Sequence, residues 1–168
     1  MKEKYRIHFD KFEYFEHRNI RPLMGICGLY FIFLKKIEIP YPFKKTRLIY
    51  IGMSEKKTNS IGKRLFDHYE GISGNEGLVN YRKIEDLYFT YLNFEALRGI
   101  WKYRIEDLES YFILDFVKKY GIYPICNNKS GFDVKEIDLP VSLVVEWKYF
   151  ELEKVNGKRY KKRQRNSR

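Results

Sequence analysis

Apolar positions along the chain follow two periods, and the switch between them marks the elements. "GLYFIFLKK", starting at Gly28, and "RLIYIGMS", starting at Arg47, are short runs of β-branched and aromatic residues. The "IPYPFKK" between them carries two prolines that cannot sit in a central strand but suit a long hairpin loop. Two antiparallel strands are predicted. In "KTNSIGKRLFDHYEG" the period lengthens: Ile61, Leu65 and Tyr69 recur every fourth position, Thr58, Asn59 and Ser60 offer capping oxygens, and Gly71 marks the stop. That is a short amphipathic helix. "GISGNEGLVN" reads as a glycine-rich loop and "LYFTYLNFEA" as a third strand. "GIWKYRIEDLESYFILDFVKKYG" predicts a long helix from near Trp101 to Tyr120, closed by Gly121, with lysines in its last turn and Pro124 just beyond. Last, "VSLVVEWKYFELEKVNGKRYKKRQRNSR" reads as an aromatic strand, an Asn156-Gly157 turn and a basic return segment.

The pattern predicts an α+β domain with a small three-stranded antiparallel sheet flanked by helices. Residues 1–24 mix aromatic and charged residues without a clean period and are assigned as an N-terminal extension packed on that domain. Residues 25–135 form the domain itself, and 136–168 a C-terminal strand or hairpin with a basic tail.

Charge changes the picture more than length does. Among 168 residues, 33 Lys and Arg stand against 22 Asp and Glu, a formal +11 that suits a polyanionic partner, nucleic acid or an acidic membrane surface. The stretch Met24–Leu34 is too short to span a bilayer, and the charged first residues lack the apolar core of a signal peptide. Cys27, Cys126 and the three histidines have no zinc-site or redox spacing. The expectation is a soluble, cytoplasmic protein with reduced thiols, no structural metal and no membrane partner.

Candidate chemistry sits on the two helices. On the long one, Ile105, Glu109, Phe112 and Phe116 share a stripe, with Ile113 and Tyr120 as apolar neighbours of Glu109. An inward carboxylate is costly unless it meets a cation, a hydrogen-bond cluster or a metal. An ion pair with a nearby Lys or Arg and a metal site both remain open at this point. On the short helix Arg64 and His68 are four apart and project together beside the Ile61 and Leu65 stripe. A fixed cation, an inward acid and strand-borne tyrosines are what a phosphodiester site requires.

With those residues in place the sequence resembles the GIY-YIG nucleases. Gly28-Leu29-Tyr30 matches the first motif, with Leu for the usual Ile, and Tyr50-Ile51-Gly52 the second. Arg64 in "KRLFDH", Glu109 in "ESYFI" and Asn127 in "PICN" follow in the family's order. The spacer of 19 residues between the two tyrosines is longer than in many members. The resemblance implies that both tyrosines stand at the mouth of one cleft, with the acid presented from its other wall. Glu109 would bind a single Mg²⁺ or Mn²⁺. Tyr30 would orient or deprotonate the attacking water, Tyr50 would hold the phosphate or the water network, and Arg64 would stabilise the added charge. His68 would serve as proton donor or supporting partner, and Asn127 would fix a loop or water beside the site. The implied activity is a divalent-metal-dependent DNA endonuclease of compact restriction or mobile-element type. Double-stranded DNA is the implied partner, with a homodimer as the simplest route to cutting both strands. Lys158, Arg159, Lys161, Lys162, Arg163 and Arg165 of the tail would grip phosphates without choosing sequence. Two alternatives stay open: a non-catalytic nucleic-acid-binding protein that keeps this fold, and a basic scaffold protein in which Glu109 pairs with a lysine.

Overall fold

The computed structural model describes residues 1–127 and 139–152. In chain order its elements are β1 (Glu3–Ile7), β2 (Glu13–Tyr14), α1 (His17–Ile20) with a following 3-10 turn (Arg21–Leu23), β3 (Gly28–Leu34), β4 (Ile39–Pro40), β5 (Lys45–Thr46) and β6 (Leu48–Ser54). Then come α2 (Ile61–Glu70), α3 (Glu76–Ile84), β7 (Leu87–Asn93), α4 (Phe94–Leu97), α5 (Ile105–Tyr120), β8 (Val141–Val145) and a 3-10 turn at Trp147–Phe150. The protein is α+β.

Its main sheet has the strand order β2-β7-β3-β6, with antiparallel pairings throughout. The sheet is therefore four-stranded rather than three-stranded, because Glu13 and Tyr14 add a short edge strand opposite Phe89 and Tyr88. Every residue of β3 is buried, as suits a central strand covered on both faces. Leu29, Phe31 and Phe33 point into one layer with Phe112 and Phe116 of α5 and with Trp147 and Phe150. Tyr30, Ile32 and Leu34 point into the other with Ile61 and Leu65 of α2 and Leu78 of α3. Gly28 lets β7 approach: a Cβ there would lie 1.9 Å from the Leu92 carbonyl oxygen.

The N-terminal segment is built into both layers, Ile7 and Phe9 on the α5 side and Phe15, Ile20 and Leu23 on the α2 side. Its strand β1 runs parallel to β8 as a separate two-stranded sheet. Three other expectations change. The glycine-rich stretch after α2 gives way at Asn75 to helix α3, capped by the Asn75 side chain, which accepts from Leu78 N. The aromatic run after β8 turns into a 3-10 turn at Trp147, because Trp147 and Phe150 bury their rings in one core layer rather than alternating across a sheet. Helix α5 starts at Ile105, later than Trp101, whose indole is buried and donates to the Arg104 carbonyl. The Asn156-Gly157 turn lies outside the described residues.

Two contacts orient α5. Beyond the end of β6, Glu55 meets Arg104 at 3.6 Å, and before the start of β6, Phe43 N donates to the Tyr120 carbonyl. Helix α5 thus runs antiparallel to β6, the edge strand, with Glu109 in the half nearest the end of the strand that carries Gly52.

Candidate active site

Tyr30 and Gly52 are cross-strand partners on the α2 face. A Cβ on Gly52 would come within 2.4 Å of Tyr30 Cζ and 2.7 Å of Tyr50 Cε1, so the missing side chain is the space in which the Tyr30 phenol lies. That ring is 0 % exposed. Helix α2 is started by Ser60, whose hydroxyl accepts from Lys63 N, and ended by left-handed Gly71, which fixes the rotation that turns Arg64 and His68 toward the strand. Both reach the same phenol: Arg64 Nε donates to the Tyr30 hydroxyl at 3.1 Å, and His68 Nε2 lies 3.0 Å from it. Tyr50 stands beside them, half-buried, its ring 5.9 Å from that of Tyr30 and edge-on to His68 at 5.0 Å.

Burial dominates the electrostatics here. It raises the Tyr30 pKa well above the usual phenol value, assisted by the Tyr50 phenol and opposed by Arg64. Tyr50 is also raised by burial, with Tyr30 and Arg64 pulling it down and Glu109 pushing it up. The neighbouring Tyr30 raises the pKa of Arg64, which stays charged. His68 is pushed down to about 4 by burial and then by the Arg64 charge, so its imidazole is neutral at pH 7.

Glu109 comes from the opposite layer. Its carboxyl is partly buried and is pushed up to about 7 by that burial, with Arg64 lowering and Glu106 raising the value. It has no hydrogen bond or ion pair among the described residues, so the lysine pairing held open from the sequence is not seen there. The mutual influence of Glu109 with Arg64 and Tyr50 puts the acid within electrostatic reach of both, around the β6 edge. The expected stripe is otherwise present, with Ile105, Phe112, Ile113, Phe116 and Tyr120 buried.

Asn127 sits on the outer edge of β6. Its Oδ1 accepts from Ile51 N at 3.0 Å and its Nδ2 donates to Ile51 O at 2.8 Å, so the side-chain amide pairs with the strand as another strand would. This is the loop-fixing role. Two residues not singled out from the sequence complete the cluster. Ser73 Oγ lies 2.7 Å from His68 Nδ1, and Asn75 Nδ2 donates to the Cys126 carbonyl at 2.9 Å, tying the α3 cap to the Asn127 loop. The signal for Asn75 was present as a capping residue followed by Glu76, but surrounding glycines gave it the look of a loop. Lys158, Arg159, Lys161, Lys162, Arg163 and Arg165 lie outside the described residues.

No family model, curated protein or solved structure matches the chain. The described residues contain no group of three or more His, Cys, Asp and Glu able to hold a metal ion together. Any dication would therefore rest on the single carboxylate, a hard oxygen donor suited to Mg²⁺ or Mn²⁺ with water and phosphate as further ligands. Among the described residues no helix is long and apolar enough to cross a membrane.

Proposed function

We propose that the chain is a divalent-metal-dependent DNA endonuclease with a GIY-YIG arrangement. The observation that carries the reading is the meeting of two unlike groups at one sheet edge: a guanidinium anchored on a buried phenol, and a half-buried carboxylate with no protein partner among the described residues. A carboxylate held at such a cost, with its pKa near 7, is what a cation site looks like before its cation arrives.

Glu109 would hold Mg²⁺ or Mn²⁺, which when bound supplies a Lewis acid for a phosphate oxygen and for water. Arg64, its Nε committed to Tyr30, presents its terminal nitrogens to the phosphate oxygens on which charge builds up. Of the two roles expected for Tyr30, orientation is the supported one. A neutral phenol with no exposed surface accepts no proton from water at pH 7, but it holds Arg64 in place. Tyr50, partly open to solvent, is the tyrosine that contacts phosphate or water. His68, neutral at pH 7, supports Tyr30 rather than acting as an imidazolium donor.

The test is incubation of the purified protein with supercoiled plasmid and Mg²⁺ or Mn²⁺, with EDTA and Glu109→Ala as controls. Nicking only in the complete wild-type mixture supports the reading. Binding without cleavage in any dication selects the non-catalytic alternative, and neither binding nor cleavage selects the scaffold.

A further inference from the structure

The cluster on the α2 side has a direction, and Ser73 sets it. Arg64 Nε always carries its hydrogen, so at 3.1 Å it donates and the Tyr30 oxygen accepts. The other atom facing that oxygen is His68 Nε2, at 3.0 Å, and a neutral imidazole carries one N–H. Two polarities are available. If Nε2 bears the hydrogen, Tyr30 accepts from both neighbours and its own O–H is left to find a partner within a fully buried surrounding. If Nδ1 bears it, Tyr30 donates to Nε2, and all three polar atoms are satisfied in one line.

The far end of the imidazole decides between them. Ser73 Oγ lies 2.7 Å from His68 Nδ1 and already receives the Asn75 backbone N–H at 3.3 Å. Ser73 belongs to the turn that follows α2: left-handed Gly71 ends the helix, and the amide of Ser73 itself donates to the Asp67 carbonyl. The hydroxyl is thus held against the ring by backbone on both sides. Its exposed residue gives the Oγ–H solvent as an acceptor, which leaves the oxygen lone pair for Nδ1–H.

We infer that Ser73 is a positioning residue of the proposed nuclease site: it holds His68 in the Nδ1–H tautomer, so that Tyr30 donates to Nε2 and turns its oxygen lone pair to Arg64. The relay runs from guanidinium to phenol to imidazole to serine. Its product is a guanidinium clamped through one nitrogen, with its plane set before substrate arrives. This rests on the nuclease reading for its catalytic consequence, but not for the tautomer.

The test uses the full chain with Ser73→Ala and Ser73→Thr. Ring ¹⁵N shifts of His68 report the tautomer, single-turnover cleavage of duplex DNA in Mg²⁺ reports the rate, and DNA binding in EDTA reports affinity. Wild type is expected to show protonated Nδ1 and unprotonated Nε2. Ser73→Ala is expected to lose that single tautomer and to cleave about tenfold more slowly, the scale usual for removing a group that orients an active-site histidine, with DNA affinity unchanged. Ser73→Thr, which keeps the hydroxyl, is expected to restore both. Wild-type protein with the Nε2–H tautomer, or Ser73→Ala with the Nδ1–H tautomer retained, overturns the inference. So does a rate loss that Ser73→Thr fails to rescue. If wild type cuts no DNA, the nuclease reading falls while the ¹⁵N spectrum still decides the role of Ser73.

Discussion

The two layers that meet around β6 treat their polar groups in opposite ways. On the α2 side Tyr30, Arg64, His68 and Ser73 are linked within 3.1 Å of one another in sequence, and the one group that could charge at neutral pH is held neutral by burial. On the α5 side Glu109 is partly buried without a partner among the described residues, and its proton is held to about pH 7. The first wall is finished without a ligand and the second is not. A binding site with one satisfied wall and one unsatisfied wall places the free energy available for a cation on a single side chain.

The contrast is broken most severely by removing the cation that faces both walls. Arg64→Ala is expected to lower the single-turnover cleavage rate by roughly 10²–10³, the range for losing one donor to developing charge, while DNA affinity in EDTA changes little. An equal loss in affinity would make Arg64 a binding residue instead.

Titration sharpens the contrast, because the two walls should respond to pH with opposite sign. Glu109 has its folded pKa raised from 4.5 to about 7, so its contribution is fully present below 4.5 and is lost as pH rises through 7. Denaturant unfolding of metal-free Glu109→Gln is therefore expected to gain on wild type between those values, by up to about 3 kcal/mol at pH 8. His68 has its folded pKa depressed from 6.5 to about 4, so its contribution is present above 6.5 and is lost as pH falls toward 4. Relative to His68→Gln, wild type is expected to lose stability over that lower window, by a somewhat smaller amount of about 2 kcal/mol because the loss of the Ser73 and Tyr30 bonds offsets part of it. Parallel pH curves for either pair would show that the buried wall or the open wall has been misjudged.

How far these walls could be read in the sequence differs with how local their causes are. The strands β3 and β6, the capped helix α2 and the i,i+4 pair Arg64 and His68 follow from nearest-neighbour rules, and so does the odd carboxylate in the apolar stripe of α5. The parts that were illegible depend on distant partners. Strand β1 owes its existence to β8, more than a hundred residues away, and β2 is two residues that pair only because β7 offers an edge. Residues Trp147–Phe150 have the composition of a strand and the geometry of a turn, since core packing rather than pleating chooses where their rings go. Ser73 carried no pattern of its own; only the return of the chain after Gly71 brings it to His68. Glu109 was legible as an anomaly, yet its lack of a partner among the described residues, and the reach of Arg64 and Tyr50 toward it, needed the packing of α5 against β6.

The most direct measurement compares single-turnover cleavage of duplex DNA in Mg²⁺ by wild type and by Glu109→Gln, each shown folded by its unfolding curve. The account predicts cleavage by wild type that EDTA abolishes, and a fall of at least about 10²-fold in Glu109→Gln even though that variant is the more stable protein at pH 8. Equal cleavage by the two proteins, or no dication-dependent cleavage by wild type, would contradict it.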